Sequence, residues 1–221
     1  MGVPRSHGQQ LQVAPHKCQV EAGESPQDGC SGGFKFNAVP GFPFPRSSCD
    51  SFASSFQRID MDRRCLEECP QLGIMDELQH LNLQHNQITG IRHLSHLQQL
   101  VFLNLYDNHI SGMTGLESLR SLRILNLGKN RIREICCLGS LSQLNILDLH
   151  DNQICRIDNV SHLSELQTLN LAGNGISKVE NLLGLDCLTE LNLRHNRVSA
   201  LVRLWDGGTG GVINRIFGVG L

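Results

Sequence analysis

The sequence predicts a solenoid of the α/β class, in which short parallel strands stack at a fixed interval along the chain. Asn recurs every 22 residues, and the same leucine pattern precedes each copy. The six residues of this column are Asn86, Asn108, Asn130, Asn152, Asn174 and Asn196. Leucines lie eight, five and three residues before each Asn, as Leu78, Leu81 and Leu83 do in the first copy. Six copies in unbroken phase indicate one repeated structural unit.

Each position of the repeat has a physical role. The Leu-x-Leu alternation is typical of a short strand with one buried face, and stacked copies of such a strand form a parallel sheet. The Asn lies where the chain leaves the strand, and a buried amide there must bond backbone groups, so we expect a structural Asn ladder. Apolar residues then recur every third position, which favours short 3₁₀ or irregular segments on the convex face. These are the features of a leucine-rich repeat solenoid with its parallel strands on the concave face.

The same phase extends one copy upstream of the first Asn. Subtracting 22 places Phe56, Ile59 and Met61 at strand positions, while Arg64 stands where the Asn would be. End repeats are expected to be atypical, because one of their faces has no neighbour. We therefore predict a leucine-rich repeat domain over 56–204, with a degenerate cap at 56–77 and regular repeats at 78–204.

Both flanks differ in composition from the repeats. Residues 1–55 contain a single Leu and a Gly-, Pro- and Ser-rich stretch, so we predict a disordered segment. Its first residues match the pattern for myristoylation of Gly2, although an accidental match to so short a pattern is the alternative. Residues 205–221 form a Gly-rich tail that breaks the 22-residue phase. Because an array without a C-terminal cap exposes apolar surface, we expect this chain to be a truncated or alternatively spliced form of a longer protein.

Composition excludes several classes of protein. The formal net charge of -2 is too balanced for a nucleic-acid-binding protein. The sequence contains no run of 18 apolar residues and therefore predicts no membrane span. Nine Cys without paired spacing favour reduced thiols, as in the cytosol or the nucleus. Cys65 and Cys69 have no second pair that would complete a metal site. We find no catalytic constellation and expect no enzyme activity, no metal and no cofactor.

Side chains on the outward face of the predicted strands are the candidates for partner binding. Alternation places the residues six, four and two positions before each Asn on this concave face. Phe102, Ile124 and Ile146 form an apolar row there, on three consecutive strands. The full predicted site is Phe102, Tyr106, Ile124, Ile146, His150, Asp148, Glu190 and Arg194. Large apolar groups with charges of both signs around them favour a protein partner; the alternative is that neighbouring side chains cover them.

Residues that the repeat does not require carry a resemblance to a known family. The stretches LNLQHN at 81–86, LRSLRIL at 119–125, GKNRI at 128–132 and LTELNLRHN at 188–196 resemble the leucine-rich repeat subunits of the tubulin polyglutamylase complex. Asp62-Arg63-Arg64 and Cys69-Pro70 fit the same family. The resemblance covers about residues 56–204 and ends where the family pattern has further repeats.

This resemblance implies a non-catalytic scaffold subunit that helps a separate ligase modify tubulin. Its implied partners are ligase-complex subunits or tubulin, and its implied place is the cytoplasm and the cytoskeleton, at microtubules, centrioles or cilia. The 22-residue pattern is also similar to that of a nuclear repeat protein that regulates phosphatases. The alternative function is therefore a regulatory subunit that binds a serine/threonine protein phosphatase through the concave face.

Overall fold

The computed structural model describes residues 57–73, 75–201 and 215–218. Ten short strands form in these ranges and no helix does. The strands are β1 (Arg58–Asp60), β2 (His80–Asn82), β3 (Phe102–Asn104), β4 (Ile124–Asn126), β5 (Ile146–Asp148), β6 (Thr168–Asn170), β7 (Lys178–Val179), β8 (Glu190–Asn192), β9 (Ala200–Leu201) and β10 (Arg215–Phe217). The predictions for residues 1–55, for Gly2 and Phe56, for the end of the repeat domain at 202–204 and for the tail residues 205–214 and 219–221 lie outside the described residues.

Eight of these strands make one parallel sheet in the order β1-β2-β3-β4-β5-β6-β8-β10. Equivalent residues of successive copies are paired, so Leu81 lies beside Leu103 and Leu103 beside Leu125. The leucine columns on the inner face of this sheet are fully buried and form one continuous core. The prediction of a leucine-rich repeat solenoid with 22-residue turns is confirmed.

The return segments of the turns contain single hydrogen bonds of the 3₁₀ type in place of helices. The N–H of Leu97 donates to the carbonyl of Leu94 at 3.0 Å, and the N–H of Leu100 donates to that of Leu97 at 3.1 Å. Strands β7 and β9 pair in parallel as a second, two-stranded sheet on the return segments. The chain thus closes each turn in few residues, as three-residue apolar spacing requires.

The strand β10 belongs to a stretch that the repeat phase did not identify. It pairs in parallel with β8, and Ile216 lies beside Leu191 at the core position. The interval between these two residues is 25 instead of 22, so three additional residues shift the phase. Ile216 is 39% exposed, which is consistent with a position at the end of the sheet order.

No helix in the described part of the chain has both the length and the apolar character needed to cross a membrane.

Candidate interaction surface on the concave face

The Asn ladder links each turn to the one before it. The amide of Asn108 donates to the carbonyls of Leu83 at 3.0 Å and Leu105 at 3.1 Å, one in each of two adjacent turns. Its side-chain oxygen accepts the N–H of Ile88 at 3.0 Å. The same set of bonds is made by Asn86, Asn130, Asn152, Asn174 and Asn196. These bonds satisfy backbone groups that the chain buries where it leaves each strand.

A second polar ladder runs along the middle of the concave face, four residues before each Asn. Its oxygen atoms accept the N–H two residues ahead, as Asn126 does from Gly128 at 3.0 Å. The other members are Asp60, Asn82, Asn104, Asp148, Asn170 and Asn192. From Asn82 onward this column is buried, and Asp148 is 2% exposed. Its geometry is therefore that of an Asx turn at each strand end, a local role that the sequence analysis did not identify.

The apolar row that the sequence predicted is covered to different degrees. Phe102 is only 4% exposed, since the His80 ring packs beside it at a centroid distance of 6.0 Å. Phe102 is thus less accessible than strand alternation predicted, and the alternative of cover by a neighbour describes it better. Ile124 and Ile146 are half-buried on adjacent strands and face away from the leucine core.

Tyr106 and His150 belong to the column of the concave face that lies two residues before each Asn of the ladder. Both are mostly buried, and their rings lie 5.6 Å apart above Gly128. A Cβ atom added at Gly128 would overlap the His150 imidazole, so only glycine leaves room for this contact. The Nδ1 atom of His150 lies 2.7 Å from the Oδ1 atom of Asp148, which fixes the ring.

Opposing effects set the protonation of His150. Burial lowers its pKa, but the hydrogen bond and the negative charge of Asp148, helped by Asp151, outweigh burial and leave the pKa raised. Lys129 opposes the increase by its positive charge. The net result favours the imidazolium form, whose second nitrogen, Nε2, lies 4.0 Å from Asp151.

Further charged groups surround Tyr106. The Nζ atom of Lys129 lies 5.3 Å from the centroid of its ring, and a hydrogen bond with Tyr106 raises the pKa of Lys129. On the other side, His85 meets the tyrosine ring edge-on at 5.3 Å and places Nδ1 2.7 Å from Asp107. Charges of both signs therefore border the aromatic centre of the concave face.

The C-terminal part of the concave face is shared with β10. A guanidinium nitrogen of Arg215 lies 3.1 Å from one carboxylate oxygen of Glu190, and exposed Arg194 packs over the Phe217 ring at 4.8 Å. The other oxygen of Glu190 and the amide nitrogen of Asn170 are buried without a hydrogen-bond partner among the described residues. These two atoms are polar groups that the repeat itself does not satisfy.

The two cysteines considered as metal ligands, Cys65 and Cys69, differ in their surroundings. In the ranges that the structure describes, no group of three or more His, Cys, Asp or Glu is positioned to hold a metal ion. Cys65 is exposed, whereas Cys69 is buried and directs its thiol to the carbonyl of Gly90 at 3.7 Å. This pair therefore does not converge on one exposed site.

Comparisons with known proteins agree with this geometry. The family described as Leucine Rich repeats (2 copies) matches residues 76–119 and 164–203. An internalin (inlF) from Listeria monocytogenes is 29% identical with a TM-score of 0.52, over 59% of this chain and 38% of its own. A leucine-rich repeat protein of Leptospira interrogans is 34% identical with a TM-score of 0.55, over 57% of this chain and 34% of its own.

A second Listeria monocytogenes protein, internalin C2, is 29% identical with a TM-score of 0.51, over 56% of this chain and 54% of its own. The chain thus spans between about a third and about a half of the length of these three proteins. The comparison with curated proteins found no match. From its repeat phase, its parallel sheet and these similarities, the chain has the leucine-rich repeat fold.

Proposed function

We propose that this protein is a non-catalytic interaction scaffold whose concave face binds a protein partner. The observation that carries the proposal is the half-buried pair Ile124 and Ile146, which the leucine core does not use. Apolar side chains of this size, surrounded by polar groups, supply much of the binding energy in protein interfaces. Repeat proteins present such extended concave surfaces because each turn adds one strand to the sheet.

The charges around the patch support a protein partner over a polyanion. Lys129 and Arg194 are exposed on the same face as the exposed carboxylates of Asp107 and Asp151. An anionic polymer would be repelled by these carboxylates, whereas a folded protein offers both signs of charge.

The partner that we propose is the catalytic machinery of tubulin polyglutamylation. The support is the resemblance of residues 56–204 to the leucine-rich repeat subunits of that complex, carried by positions outside the leucine pattern. In this function the chain positions a separate ligase at microtubules and takes no part in the chemistry. The corresponding location is the cytoplasm, in association with the cytoskeleton.

A second candidate function is the regulation of a serine/threonine protein phosphatase. It is favoured by the similarity of the 22-residue repeat to that of a phosphatase-regulating protein. In this case the phosphatase catalytic subunit binds the same concave face. Both functions use one surface, so the identity of the bound protein distinguishes them.

Affinity capture from an extract of ciliated cells tests the proposal directly. The full chain is immobilised, and bound proteins are quantified by mass spectrometry against an unrelated leucine-rich repeat protein. Enrichment of tubulin ligase subunits supports the first function, and enrichment of phosphatase catalytic subunits supports the second. Failure to enrich either class above the control would contradict both.

A further inference from the structure

Two consecutive cysteines lie on the return segment that follows β4, away from the concave face. Cys136 and Cys137 are both half-buried, and their sulfur atoms are 3.4 Å apart. The thiol of Cys137 donates to the sulfur of Cys136. Cys136 also packs against the leucine core, so its position is fixed by the turn.

The repeat does not require a cysteine at position 137. This residue has a φ of 61°, in the left-handed region, as do the equivalent residues His93, Gly115, Asn159 and Asn181. Asn, Asp, His and Gly tolerate this conformation, but other side chains adopt it at a cost. Asn159 and Asn181 also use their amides to bond a carbonyl of the preceding turn at 2.8 Å. Cysteine neither tolerates the left-handed conformation well nor carries an amide that could bond the preceding turn. A residue held in such an unfavourable conformation is a candidate for a functional role.

The spacing of the two sulfur atoms suits a bridging atom better than a direct bond. A disulfide needs about 2.05 Å between sulfurs and more than about 4.4 Å between Cα atoms. Consecutive Cα atoms joined by a trans peptide are about 3.8 Å apart, so a disulfide here would be strained. With bonds of about 2.3 Å, the length of a zinc–thiolate bond, the observed 3.4 Å sets an S–X–S angle of about 95° at the bridging atom. That angle is well below the tetrahedral value that zinc prefers and is close to that of a pyramidal trivalent centre.

We propose that Cys136 and Cys137 form a chelating dithiol site for a trivalent, thiophilic metalloid of the arsenical class. With an organic arsenic(III) oxide, two As–S bonds form while the As–O bonds and the two S–H bonds break. The oxygen leaves as water and takes both thiol protons. Arsenic stays trivalent throughout, so the step needs no oxidant or reductant.

The two thiols have different parts in this step. The thiol of Cys137 carries the proton of the hydrogen bond that joins the two sulfur atoms. Cys136 receives the hydrogen bond, and its sulfur is therefore the one placed to attack first. The proton of Cys137 then passes to the departing oxygen as the second bond closes the ring.

The test uses phenylarsine oxide and the full chain. We expect one equivalent to map by mass spectrometry to the tryptic peptide 134–156, and the melting temperature to rise, because a folded dithiol binds better than an unfolded one. Cys136→Ser and Cys137→Ser should each weaken binding by about a hundredfold or more, since a single thiol loses the gain of bidentate attachment. The double variant Cys155→Ser/Cys187→Ser changes two exposed cysteines elsewhere and should bind like the wild type.

Cys137→Asn keeps the test independent of folding defects. Asn is the residue that two later turns use at this position, so this variant should melt at or above the wild-type temperature and yet lose tight binding. The proposal is overturned if Cys137→Asn binds like the wild type. It is equally overturned if the reagent adds elsewhere in the chain, or if binding leaves the melting temperature unchanged.

Discussion

The interior turns and the end turns of the array share one sequence pattern but differ in their surroundings. Asn108, Asn130, Asn152 and Asn174 are buried between a preceding and a following turn. Asn196 makes the same bonds to the turn before it, yet it is only half-buried. At the other end, Arg64 replaces the Asn, and its N–H is bonded by Asn86 of the next turn. The comparison teaches that a repeat residue is stabilised mainly by its neighbours, so equal substitutions should have unequal effects.

Replacing a glycine in the left-handed conformation should give the largest difference in lost stability between an interior turn and an end turn. Gly115 in an interior turn has a φ of 104°, and a Cβ there would overlap the carbonyl of Ile91, whereas Gly73 in the first turn has a φ of 59° and open space around it. Gly115→Ala should destabilise the fold by about 2–5 kcal/mol, the sum of the backbone and overlap costs. Gly73→Ala should cost about 1–2 kcal/mol, from the backbone alone. Urea unfolding measures both, and equal losses would show that the interior turn relaxes freely.

Replacing an Asn of the ladder should give the next largest difference in lost stability between interior and end turns. Asn130→Ala leaves the buried Ile110 N–H without its side-chain acceptor and removes one of the two amides that donate to the Leu105 carbonyl, the other being that of Asn108. We expect a loss of about 1–3 kcal/mol, the cost of leaving buried polar groups unsatisfied. Asn152→Ala should behave similarly, and Asn196→Ala should cost less because water reaches its surroundings. Unchanged melting temperatures in the two interior variants would contradict the structural role of the ladder.

His150 in the interior gives a smaller, pH-dependent effect. Its pKa is raised in the folded protein, so its contribution to stability is complete below the unfolded pKa of about 6.5 and is lost as the pH rises through the folded pKa. His150→Gln should therefore cost more stability at about pH 5 than at about pH 9, because only the imidazolium form gains from Asp148. His195→Asn, at an exposed position of the last regular turn, is the matched control. A pH-independent loss in His150→Gln would refute the assignment to Asp148.

Much of the fold could be predicted from the sequence, because one 22-residue period fixes strand, core and turn together. Side-chain surroundings were harder to predict, since they depend on contacts across strands. The column that contains Asp148 was predicted to lie on the outward concave face, but Asp148 is buried and accepts the N–H of His150 in an Asx turn. Phe102 was predicted to be accessible, with cover by a neighbour as the alternative, and the His80 ring on the preceding strand β2 packs beside it.

The strand β10 was missed for a different reason. A search at intervals of 22 residues finds Gly207, Gly210 and Arg215 where leucine is expected, with Ile213 as a single apolar match. An interval of 25 instead aligns Ile216 with Leu191. Ile213 then falls at the position of Leu188, so two apolar residues at the right separation were the signal. Because three additional residues precede this strand, a search at a fixed interval of 22 residues does not detect the signal.

The central claim is that the concave face of the interior turns binds the protein partner. The most direct test is affinity capture with Ile124→Ala/Ile146→Ala, which changes two half-buried residues outside the leucine core. We expect the variant to fold, because neither residue belongs to the core. Loss of about 2 kcal/mol at such an anchor weakens binding by about 30-fold, so the variant should capture almost no partner. Arg156→Ala, exposed on a return segment, should capture as the wild type does. A folded double variant with undiminished capture would contradict the account.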